Sequence, residues 1–82
     1  MMRAKLKAYI LRALKQMDGT PLTERALIDS VRLAFGEVLL TEIQDAKRAL
    51  EAEGFIAGQR DDALETITWT LTTKGKHKAS EL

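Results

Sequence analysis

Leu6, Tyr9, Ile10, Ala13, Leu14 and Met17 recur at steps of three and four, the spacing that places side chains on one face of an α-helix. The pattern predicts a first helix from about Met2 to Met17. Asp18 and Gly19 supply its stop, because a glycine just past the last periodic residue enters the left-handed conformation that ends a helix. Pro21 biases Thr20 toward extended backbone, so Thr20, Pro21 and Leu22 are expected to form a short extended link. Thr23 then caps a second helix. Leu22 before the cap and Leu27 after it have the spacing of a hydrophobic staple, and Leu27, Val31, Ala34 and Phe35 continue the buried stripe up to Gly36.

Thr41 and Gln44 read as a capping box that opens a third helix, with Leu39, Ile43, Ala46 and Leu50 as its inward row and Gly54 as its end. The period then changes. Ile67, Trp69 and Leu71 alternate with Thr66, Thr68, Thr70 and Thr72, the signature of a strand buried on one side. Phe55 to Gln59 is its expected partner, joined through a polar turn at Arg60, Asp61, Asp62 and Ala63. Trp69 therefore reads as core rather than as a platform for stacking bases. The sequence predicts an α+β domain: three helices backed by a two- or three-stranded sheet, with the Thr20–Leu22 link beside the returning strand near Leu71. Residues from Gly75 onward look loosely held.

Eighty-two residues suffice for one core. The 45 % apolar and 30 % charged content marks a globular chain rather than a disordered one. No cysteine is present, which removes disulfides, thiolate zinc sites and a cysteine nucleophile together. His77 is the only histidine, and no clustered carboxylates stand at ligand spacing beside it. There is no glycine-rich phosphate loop and no nucleophile elbow. The expectation is a protein that is not an enzyme, with no catalytic residue, metal or cofactor. Neither a membrane span nor a signal peptide is expected, and a cytoplasmic location follows.

Charge is where the total misleads. The net is +1, yet Arg3, Lys5, Lys7, Arg12 and Lys15 stand in the first helix without an acid, and acids predominate from Asp18 to Glu65. Lys74, Lys76 and Lys78 then face only Glu81. Such a basic run is either a solvated helix face or a surface for phosphates or a partner.

Two strings resemble the winged helix-turn-helix domains of PadR-type and MarR-type transcriptional regulators. Ala49-Leu50-Glu51-Ala52-Glu53-Gly54-Phe55-Ile56 is similar to the end of a recognition helix, and Leu71-Thr72-Thr73-Lys74-Gly75 to the segment after the wing. The resemblance implies a winged-helix domain over residues 1–75, followed by a flexible basic tail over 76–82. It implies a small DNA-binding protein, a transcriptional regulator using helix three and the wing, with double-stranded DNA as partner. Thr41, Gln44 and Arg48 would then face the groove, Arg60 would serve the wing, and Lys5 and Arg12 would add phosphate contacts. Asp45 and Ala52 share the outward side of that helix. The four acids against two bases between Thr41 and Glu53 favour an alternative: a protein-protein interaction module without DNA binding. PadR-type proteins dimerise through a long carboxy-terminal helix that is missing after Gly75. A monomer or weak homodimer is expected instead, with Leu11 of helix one as an exposed contact.

Overall fold

The hydroxyl of Thr23 accepts the backbone N–H of Ala26 at 3.2 Å, so the extended link turns into a helix at the residue whose side chain satisfies an orphan donor. The structure is a computed structural model that describes residues 2–82; Met1 lies outside it. In chain order the elements are α1 (Met2–Gln16), β1 (Leu22–Thr23), α2 (Glu24–Phe35), α3 (Leu40–Ala52), β2 (Ile56–Asp61), β3 (Thr66–Leu71) and α4 (Thr73–Ser80). The strands form one antiparallel sheet in the order β1-β3-β2. The class is α+β. The link does reach the sheet, at Leu22 opposite Trp69 and Thr23 opposite Thr68, slightly before Leu71.

Leu6, Ile10 and Leu14 of α1, Leu27 and Val31 of α2, and Ile43, Ala46 and Leu50 of α3 fill the core, closed from the sheet side by Ile56 and Trp69. Each fully buried leucine or isoleucine contributes about 1.5–3 kcal/mol relative to leaving it in water. Tyr9 and Phe35 meet edge to face at 5.5 Å between ring centroids, and the Tyr9 hydroxyl reaches the Ser30 Oγ at 2.6 Å. These contacts fasten α1 to α2.

Several expectations are corrected. Leu11 is buried, not exposed, because it faces α3 and α4 on the far edge of the α1 stripe, so it offers no dimer contact. Ala34 is exposed, and Ile28 packs against the core instead. α3 begins at Leu40 with Leu39 as its N-cap and no side-chain cap, so Thr41 already lies inside the helix and the capping box does not form. Leu39 points outward while Val38 takes the core position. The hairpin turn falls at Asp62–Glu65, where Glu65 adopts φ 52° and Asp61 Oδ1 accepts the N–H of Leu64 at 3.1 Å. Ile67 is 40 % exposed because it lies beyond Thr68, the last residue of β3 paired with β1. Thr68 is buried because β3 is the central strand, flanked on both sides.

The segment from Gly75 is not loose. Thr72 caps α4, accepting the Gly75 N–H at 3.0 Å, and Gly75 and Ala79 are buried. Lys76 to Ser80, expected in a basic tail, are the later turns of this helix. The two regulator-like strings interlock here. The Thr72 hydroxyl donates to the Gly54 carbonyl at 2.6 Å, the Thr72 N–H to the Phe55 carbonyl at 3.1 Å, and Lys74 Nζ to the Glu53 carbonyl at 2.8 Å. Lys74 also lies 5.0 Å from the Phe55 ring centroid. Gly54, at φ 81°, ends the approach to the sheet. The motif positions at this joint tie the end of α3 to the start of α4.

Candidate nucleic-acid interface

The outward side of α3 is as the helical rotation predicts: Thr41, Asp45, Arg48 and Ala52 are exposed, and Gln44 is on the flank, half-buried. Part of its chemistry is engaged within the chain. Gln44 Nε2 donates to Glu24 Oε2 at 3.1 Å, and Arg48 Nη1 stands 3.8 Å from Asp45 Oδ1. Arg60 lies in β2 opposite Ile67, not in the turn, and its Nε donates to Asp62 Oδ1 at 3.3 Å. Thr41 and Arg48 thus remain on the α3 surface among acids, while Gln44 and Arg60 are turned to partners within the chain.

Glu24 is the hub that sequence reasoning missed. Placed in the first turn of α2 by the Thr23 cap, it accepts Trp69 Nε1 at 2.8 Å and Gln44 Nε2, and pairs with the Lys47 ammonium. Lys47 is only 3 % exposed and its ammonium lies 4.9 Å from the Trp69 ring centroid, a cation–π contact. Burial alone raises the Glu24 pKa. The hydrogen bonds from Lys47, Gln44 and Trp69, with the Lys47 charge, outweigh it and hold the carboxyl below its ordinary value. The available signal was spacing: Lys47 stands four residues after Ile43 and three before Leu50, on the inward row. The cluster joins α2, α3 and β3, and among the described residues no buried side-chain polar atom lacks a partner.

The exposed bases gather elsewhere. Lys5, Arg12 and Lys15 lie within about 80° of one another around α1 at 100° per residue, on the side away from its buried stripe. α4 packs beside α1 and brings Lys76 to the same groove as Lys15. A groove of about 490 Å³ runs between these helices and the end of β3, with Lys15, Asp18, Thr20, Thr70, Lys76 and Ser80 among its lining. None of Lys5, Arg12, Lys15 and Lys76 has an ion-pair partner among the described residues. Lys7 does: it binds Glu53 at 2.6 Å. That hydrogen bond, with the charges of Lys7, Lys74 and Lys78, lowers the Glu53 pKa. Of the six sequence candidates, then, Lys5 and Arg12 have no ion-pair partner among the described residues; Lys15 and Lys76, which line the groove together, stood in the basic runs of the sequence without being named as site residues.

No helix among the described residues is long and apolar enough to cross a membrane. No protein-family model matches the chain, and no match is found among curated proteins or among solved structures.

Proposed function

We propose that the chain is a winged-helix domain that binds double-stranded DNA, and that it does so chiefly by holding the phosphate backbone. The element order and the β1-β3-β2 sheet support the winged-helix reading, with α3 as the recognition-type helix and β2–β3 as the wing. The observation that carries the binding mode is the set of exposed bases on α1 and α4: Lys5, Arg12 and Lys15 on one side of α1, and Lys76 beside Lys15 in the groove, none with an ion-pair partner among the described residues. Phosphate contacts supply affinity without sequence information, whereas among the base-reading groups Gln44 is held by Glu24 and Arg48 and Arg60 each stand beside an acid. Regulation of transcription through this domain would then rest on occupancy of DNA more than on a tightly read operator.

The test is binding of a labelled duplex of arbitrary sequence at two salt concentrations. Affinity is expected to fall steeply with salt, and Lys15→Ala with Lys76→Ala to lower the logarithmic salt slope by about two units. Arg48→Ala should cost less than the ~1–3 kcal/mol of a bidentate base contact. Absence of binding at low salt overturns the reading. A loss confined to Arg48→Ala, at one preferred sequence, moves the contact to α3.

A further inference from the structure

The groove beside Lys15 and Lys76 is walled by four separate segments: the last turn of α1, the link to β1, the end of β3 and α4. Its volume of about 490 Å³ is that of a small-molecule site, where a few placed polar groups orient a ligand against apolar walls. Leu14 and Leu71 supply the apolar part, and Thr20 and Thr70 bring hydroxyls. Three side chains carry all the charge of the lining: Lys15, Asp18 and Lys76.

Opposite charges in one groove ordinarily cancel, and Lys15 and Asp18 stand three residues apart, the spacing of a helical ion pair. They do not pair. α1 ends at Gln16, and Asp18 enters the left-handed region at φ 50°, off the helical repeat. Among the described residues Asp18 has no ion-pair partner, and neither has Lys15 or Lys76. The groove therefore holds two cations and one anion that the chain itself leaves unneutralised.

We propose that this groove binds a small molecule carrying two acidic groups and one amino group, the chemistry of an acidic amino acid. The acidic groups answer Lys15 and Lys76, the ammonium answers Asp18, and the short carbon chain between them lies on Leu14 and Leu71. Each polar contact is charge-assisted and so stronger than a neutral hydrogen bond. A plain dianion sets a like charge near Asp18, and a neutral ligand leaves all three groups unanswered. The pattern of signs selects the ligand. The site goes beyond the DNA reading: it shares Lys15 and Lys76 with that reading, but it is defined by the groove and tested without nucleic acid.

The test follows amide chemical shifts of the full chain during titration with L-glutamate, with glutarate, which lacks the amino group, and with L-glutamine, which lacks one acidic group. Glutamate is expected to shift residues 14–20, 70–71 and 76–80 saturably. It should bind at least about tenfold more tightly than either analogue, since each analogue forfeits one hydrogen bond to a charged group. Lys76→Gln should weaken glutamate by about tenfold for the same reason, with unchanged far-ultraviolet circular dichroism. Asp18→Asn should erase the preference for glutamate over glutarate, a change that a merely structural role of Asp18 does not produce. Lys5→Ala, on α1 outside the groove, should leave glutamate binding unchanged, which separates this site from the phosphate contacts proposed for DNA. The proposal is overturned if glutamate produces no saturable shift, if glutarate or glutamine binds as tightly as glutamate, or if Asp18→Asn keeps the parent's preference.

Discussion

The indole N–H of Trp69 donates to the carboxylate of Glu24 at 2.8 Å, joining the central strand to the first turn of α2. The same carboxylate takes Lys47 from α3, so one acid holds three elements at their mutual angles. Satisfied in full, such a network specifies one arrangement of the helices on the sheet; broken, it leaves a charge in a place that water scarcely reaches.

Removal of the two partners is accordingly expected to be unequal. Glu24→Ala strands the ammonium of Lys47, which is nearly enclosed, and should cost about 3–5 kcal/mol, with the 26 % exposure of Glu24 holding the figure toward the lower end. Lys47→Met keeps an apolar stem against Trp69 and leaves a carboxylate that water can still reach, so it should cost less. Urea unfolding followed by circular dichroism measures both. Equal losses, or a larger loss for Lys47→Met, would show that the ammonium is not the enclosed partner.

Acid should weaken the fold through the same residue. Folded Glu24 releases its proton more readily than a glutamate of the unfolded chain, which titrates near 4.5. Its contribution is therefore complete above that pH and is lost as the pH falls through the lower folded value. Stability measured at neutral pH and again in acid should drop further for the parent than for Glu24→Gln. Parallel drops would assign the acid sensitivity to other carboxylates.

At the joint between α3 and α4, Gly75 leaves no room for a side chain. A Cβ there would collide with the carbonyl oxygen of Phe55, a backbone atom that cannot move without disturbing the Thr72–Phe55 hydrogen bond. Gly75→Ala is expected to destabilise the domain by about 1–3 kcal/mol, the usual cost of overpacking, and to increase amide exchange in α4 before the core. Wild-type stability in this variant would mean that α4 is not seated against Phe55.

The helical stripes of α1 and α2, the Thr23 cap, the glycine stops and the hairpin were legible because each depends on residues close together in the chain. Positions that turn on what covers them were not. Leu11 read as a surface residue, yet α3 with α4 encloses it, and Lys47, a charged side chain, is enclosed by Glu24 with Trp69. Leu39 and Ile67 read as core and lie partly in solvent, one because Val38 fills the space instead, the other because β1 is too short to reach it.

The candidate site divides in the same way. Local spacing placed Thr41, Asp45, Arg48 and Ala52 on the outer side of α3, since a helix's rotation is a property of the chain alone. Whether Gln44 was free to meet a ligand depended on Glu24, twenty residues distant in the chain. The basic amino-terminal helix and the later lysines were visible as two separate runs of charge. The meeting of Lys15 and Lys76 at one groove required α4 to form and dock, which follows from Thr72 and Gly75 meeting the end of α3. Periodicity and capping are written along the chain; the Lys47–Glu24 and Lys7–Glu53 pairs depend on contacts between segments far apart in it, and these exist only once the core has closed.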